Sequence, residues 1–146
     1  MDYRKLFLQV RRSPEMFGVQ NSFRSFCAFL HGVDAGNDWQ LFIGFREFLV
    51  IRAGFGTNLT WPGLILRLSF PDVTSGLLDV LNDPEQERIA VDMLFSCLDE
   101  FLERRVKYGE TARIFEEYFK ATRRDKKASD GEHEQLRRSA GSSRCC

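Results

Sequence analysis

Histidine and cysteine are scarce in this chain, and their scarcity closes off several classes of chemistry. The two histidines of its 146 residues, His31 and His133, belong to no His-x-x-x-His spacing, and no Cys-x-x-Cys occurs, so the sequence offers no structural zinc site. Cys27 and Cys97 stand alone inside apolar, helix-like segments, where cysteine behaves as a small buried hydrophobe. No disulfide framework is legible. There is no Gly-x-Ser-x-Gly elbow, and no Cys–His pair belongs to a recognisable catalytic motif, which leaves no readable nucleophile. The sequence therefore predicts no catalytic residue, no bound cofactor and no metal ligand.

Long apolar runs are missing too. No stretch approaches 18 uninterrupted apolar residues, and MDYRKLFLQVRR turns charged again at once instead of leading into a cleavable signal. These features predict a cytoplasmic protein without a membrane partner. Net charge is zero, but unevenly spread: from Lys120 onward eight basic side chains face four acidic ones, while the remainder carries 13 basic and 17 acidic groups. A mildly acidic body argues against nucleic acid as a specific ligand, because phosphate binding draws its affinity from clustered Lys and Arg.

Phenylalanine is plentiful: 14 rings must be buried in a core or against a partner. They fall at helical spacing. Leu6, Phe7 and Val10 share a face over residues 2–12, with Asp2 in the first turn, until Ser13-Pro14 breaks the pattern. Phe23, Phe26, Cys27 and Leu30 repeat at i, i+3, i+4 and i+7 behind Ser22 as N-cap. A glycine-bearing loop, HGVDAGN, is expected next, with His31 at the helix end as a cap or a packed side chain. From Asp38, WQLFIGFREFLVIRAG reads as a central helix contacted on several sides through Trp39, Phe42, Ile43, Phe45, Leu49 and Val50, with Gly44 marking a close helix crossing. LILRLSF is ambiguous, since Leu64, Leu66, Leu68 and Phe70 alternate as in a strand while Leu64, Ile65 and Leu68 fit a helix; its start signal favours helix.

Residues 72–82 predict a short helical turn burying Leu77, Leu78 and Leu81. Asp83-Pro84-Glu85-Gln86 is the clearest helix start, with an Asp cap, a harmless Pro and an acidic first turn. The long helix behind it carries Ile89, Met93, Leu94, Cys97, Leu98, Phe101 and Leu102 on one side and Asp92, Asp99, Glu100 and Glu103 on the other. Gly109 ends or bends it before Ile114, Phe115, Tyr118 and Phe119. The expected fold is all-α: one multi-helix domain over residues 1–124 and a disordered basic tail over 125–146, too poor in large apolar residues to fold. An α+β fold with a strand near 64–70 is the alternative.

The stretch GFGTNLTWPGLI, residues 54–65, carries three signals. Gly54-Phe55-Gly56 follows a helix instead of a strand, which fits a left-handed stop better than a dinucleotide loop. The Asn58 sequon has no secretory route to a glycosyltransferase. Thr60 reads as an N-cap with Pro62 in the first turn, leaving Trp61 to pack on the central helix or to anchor a partner. Acidic helix faces are in general solvated surfaces, but Asp92, Asp99, Glu100 and Glu103, with Trp61, are the candidate interface for a protein partner. The closing Cys145-Cys146 is similar to the prenylated ends of some small GTPases, yet the body has no Gly-x-x-x-x-Gly-Lys-[Ser/Thr] loop, and the pair reads as incidental.

Four landmarks occur in order: Arg12, Pro14, Met16, Phe17 and Gly18; then Phe29, Leu30 and Gly32; then Trp61; then Leu98, Asp99, Glu100 and Phe101. Over residues 2–105 this order resembles small bacterial immunity proteins encoded beside polymorphic or contact-dependent toxins. The resemblance implies a protein that binds and occludes a cognate toxin, possesses no catalytic residues, and presents acidic surface to a basic partner such as a nuclease. A generic helical adaptor or regulatory domain fits the composition equally, and an enzyme with a spatially assembled carboxylate site is the third reading.

Overall fold

Three helices of the computed structural model, which describes residues 1–124, begin where a side-chain oxygen takes up free backbone N–H groups. Asp2 accepts from the Lys5 amide at the head of α1 (Tyr3–Arg12). Ser22 accepts from the Ser25 amide at the head of α2 (Phe23–Ala35). Asp83 accepts from both Glu85 and Gln86 at the head of the longest described helix, and each such cap contributes about 1 kcal/mol. The intervening helices are α3 (Phe45–Ala53) and α4 (Trp61–Ser69); α5 is the long one (Pro84–Arg105), and α6 covers residues 110–124. Two 3-10 turns, Pro14–Phe17 and Asp79–Asn82, complete the order. The expected tail over 125–146, with His133, Cys145 and Cys146, lies outside the described residues.

The fold is all-α, and no strand occurs among the described residues. Residues 64–69 resolve as helix with Phe70 as the C-cap, and Leu64, Ile65 and Leu66 are buried together. A strand would alternate these side chains between faces. Thr60 stands at the N-cap position in extended conformation, but its hydroxyl makes no capping bond.

At 22 residues, α5 spans about 33 Å and packs against α1, α2, α3 and α4. Its buried face holds Ala90, Val91, Leu94, Phe95, Cys97, Leu98, Phe101 and Leu102; Ile89, expected inside, is exposed. The rings that composition required to be hidden are mostly here. Phe7, Phe23, Phe26, Phe42, Phe45, Phe48, Phe95 and Phe101 are buried, with Phe101 5.0 Å from Phe45 and 5.8 Å from Phe48, and Phe26 edge-on to Phe95 at 5.0 Å between centroids. Such aromatic pairs add about 0.5–1.5 kcal/mol beyond their buried area. Glu87 on α5 also accepts from the Phe23 amide at 3.0 Å, so the long helix caps the start of α2.

The segment between α2 and α3 departs from expectation. No loop begins at His31: α2 runs on through Gly32 to Ala35. No helix begins at Trp39 either, because Asp38 and Trp39 adopt left-handed backbone angles (φ 53° and 60°) and Gly44, with φ 88°, forms the N-cap of α3 instead of lying within a helix. The cause is Asp34, a buried carboxylate whose Oδ1 accepts from the amides of Leu41 and Phe42 at 3.0 and 3.1 Å, while its carbonyl accepts from the Trp39 amide. Those bonds draw residues 36–44 into a tight turn. A left-handed Asp is tolerated, but a bulky Trp there is an outlier, costing about 1–3 kcal/mol. A close approach does exist at Gly44, though the neighbour is α6: a Cβ there would lie 3.7 Å from both Ile114 and Phe115.

Gly54 and Gly56 both take the left-handed stop, with φ 76° and 90°. A Cβ on Gly56 would come within 2.7 Å of Leu64, and Arg46 clasps the turn by donating to the carbonyls of Thr57 and Leu59. Residues 72–82 give the 3-10 turn, burying Val80, with Leu77 and Leu81 half-buried and Leu78 exposed. Gly109, with φ 78°, separates α5 from α6 as expected.

Candidate functional site

Helices α1 and α5 lie antiparallel, and the register can be read from two ion pairs. Arg4 meets Asp99 and Arg11 meets Asp92; both intervals are seven residues, two helical turns, so charges on one helix face their opposites on the other. Between the helices runs an open groove of about 860 Å³. Its apolar floor includes Phe7, Phe95 and Leu102, and its walls are Arg4, Lys5 and Arg11 on one side and Asp99, Glu100 and Glu103 on the other.

Each wall carboxylate is engaged by an arginine of the same chain. Arg4 grips Asp99 with two parallel bonds, Nε to Oδ1 at 2.7 Å and Nη2 to Oδ2 at 2.8 Å, and reaches Glu103 at 3.4 Å. Two-pronged contacts of this kind are the strongest geometry open to the pair. Arg11 holds Asp92 at 2.6 Å while its guanidinium lies 5.6 Å from the centre of the Phe95 ring, a cation–π distance. The second oxygen of Asp92 takes a bond from Arg88, which also holds Glu85. Glu100 pairs with Arg52 of α3.

These pairings set the chemistry of the groove. The hydrogen bond from Arg4 holds the Asp99 carboxyl below the usual aspartate range, and Arg88 does the same for Glu85. A general acid needs the opposite shift. Elsewhere, burial pushes the Cys27 thiol up to about 12 and also raises Cys97, so both remain protonated at neutral pH and pack as apolar groups. Among the described residues no three His, Cys, Asp or Glu side chains converge as a metal-binding set, and no helix is long and apolar enough to cross a membrane.

Of the five residues singled out from sequence, Asp99, Glu100 and Glu103 line the groove, and Asp92 joins it through Arg11. Trp61 is not among the lining residues. It is half-buried in an aromatic cluster, 5.7 Å from Phe45, 6.4 Å from Phe42 and 4.7 Å from His31. His31 thus sits inside α2 against the indole and does not cap a helix end. Sequence reading missed Arg4, Arg11 and Arg52. The matching seven-residue intervals, Arg4 to Arg11 and Asp92 to Asp99, were the signal that could have found the first two.

Family models, curated proteins and solved structures were each compared with the chain, and none matches.

Proposed function

We propose that this chain is an immunity-type binding protein that acts in the bacterial cytoplasm by occluding a cognate toxin, with no catalytic step of its own. The observation that carries the reading is the row Asp92, Asp99, Glu100 and Glu103 on a rigid 22-residue helix. The side chains of Asp99, Glu100 and Glu103 are more than half exposed although ion-paired. Exposed pairs are weak, so a basic partner can exchange for the internal arginines at little cost. Glu103, with only a 3.4 Å contact to Arg4, is the least committed of the row. Electrostatic complementarity of this kind speeds encounter and selects partners more than it adds affinity. The resemblance in landmark order supports the same reading, with Trp61 serving first as packing at the start of α4.

Co-expression with the products of adjacent toxin-like reading frames tests it. Protection of the host and a co-purifying complex are expected, together with a Glu100→Lys/Glu103→Lys variant that associates more slowly and with weaker salt dependence. Absence of both protection and complex for every neighbour would sink the reading. Protection against none of them, with stable capture of a non-toxin neighbour, would favour a helical adaptor.

A further inference from the structure

The most exposed aromatic side chains of the body lie at one end of the groove. Because α1 and α5 are antiparallel, the start of α1 meets the end of α5, and the tight turn over residues 36–44 closes that end. Tyr3 donates to Asn37 at one margin of the turn, and Arg105, two residues beyond Glu103, donates to the Gln40 carbonyl at the other. Trp39 projects between these two fastenings with 60% of its surface exposed. The residues after Arg105 add Val106 and Tyr108, both almost fully exposed, and Ile43 of the turn itself is also exposed.

Nothing in this turn is arranged to hide the indole. Its left-handed backbone is imposed by Asp34 and by the Arg105 bond, and this strain secures a position without the burial that normally repays it. An aromatic held rigidly outward avoids the ordering cost of binding. The chemistry beside it is also defined. Residues 34–44 contain Asp34 and Asp38 but no Lys or Arg, and Asp38 is exposed without an ion pair among the described residues, unlike the acidic row on α5. Arg105, already bound to the Gln40 carbonyl, and the exposed Lys107 supply positive charge nearby, which leaves Asp38 as the exposed carboxylate of the turn open to a basic side chain on a partner.

We propose that Trp39 is the anchor of the partner-binding surface: its indole enters an apolar pocket on a protein partner while Asp38 pairs with a Lys or Arg at the pocket rim. The proposal rests on the reading of the chain as a binding protein, and it adds the turn at the end of α5 to the acidic row as contacted surface. It does not require the partner to be a toxin.

Trp39→Asn tests it, since Asn tolerates the left-handed backbone. The urea midpoint of the full-length variant is expected to match that of the wild type, relief of strain offsetting the little burial lost; a clear fall would make the ring a core element and overturn the proposal. Phage-displayed random dodecapeptides selected on the wild-type chain, with counter-selection on Trp39→Asn, are expected to combine apolar residues with Lys or Arg and to bind the wild type at least about tenfold more tightly. No enrichment, or equal binding to both chains, would overturn it. A concentration-dependent dimer, or vesicle binding, that Trp39→Asn abolishes would also overturn it by assigning the ring a different occupant. If a neighbouring toxin is neutralised equally by wild type and variant, the anchor fails while the immunity reading stands. If no neighbour is neutralised but Trp39-dependent peptides emerge, the immunity reading fails and the anchor stands.

Discussion

The acidic row of α5 and the turn that carries Trp39 are both surface features, yet they are built on opposite plans. On α5 the charges are reconciled within the chain: Asp92, Asp99, Glu100 and Glu103 each contact an arginine. At residues 36–44 the backbone hydrogen bonds are met, but the ring and the charge are left to solvent. Strain is held in the backbone, a large apolar ring faces water, and Asp38 forms no ion pair among the described residues. Charge on α5 therefore serves helix–helix packing as well as the surface, whereas the turn presents its ring and charge without a partner inside the described chain.

The comparison can be broken at several points. Phe101 supports both regions, since it lies on α5 and touches Phe45 just beyond the turn; Phe101→Ala is expected to cost about 3–5 kcal/mol, read as a lowered urea midpoint, and a loss below 1 kcal/mol would dissolve their common foundation. Asp34→Ala leaves the Leu41 and Phe42 amides without their acceptor and is expected to cost about 2–3 kcal/mol. Faster amide exchange confined to residues 38–44 should accompany it, and an unchanged exchange pattern would show that the turn holds itself. Asp83→Ala, at the cap of α5, should lose about 1 kcal/mol in thermal unfolding without altering the turn.

The smallest effect belongs to the Arg4–Asp99 pair. The folded carboxyl sits below the ordinary aspartate value of 3.8, so its stabilising contribution is complete above that value and is lost as pH falls through the lower folded value. Thermal midpoints measured from pH 5 down to strong acid at low salt should decline slightly less steeply for Asp99→Asn than for the wild type, and added salt should shrink the difference. Identical acid limbs would mean that the pair is only geometric.

Helices with local start signals were legible in the sequence. Asp2, Ser22 and Asp83 each bond to an amide within three residues of themselves, so the information is contiguous and α1, α2 and α5 start where spacing puts them. The turn after α2 was hidden because its cause is displaced: Asp34 acts on Leu41 and Phe42, seven and eight residues later, and the apolar residues between mimic a helix face. The acidic residues were visible one by one, but their arginines lie as far as 95 residues away in sequence. Pairing across that distance leaves only a matched interval, Arg4 to Arg11 against Asp92 to Asp99, and nothing in either segment alone says that the two helices meet. Trp61 was placed correctly against the central aromatics because a tryptophan behind Thr60 at a helix start has few places to go except inward.

The antiparallel seating of α1 on α5 also has a consequence for the order in which the protein can be made. Arg4 must wait for Asp99, 95 residues downstream; at roughly 5–20 residues per second of synthesis, α1 is on hand for about 5 to 20 seconds before its seat exists. Throughout that interval Phe7 and Val10, both hidden in the finished molecule, form an uncovered stripe on a helix too short to persist alone. Until then α1 is an apolar segment in search of shelter, and completion of α5 supplies the seat that shields it from chaperones and proteases.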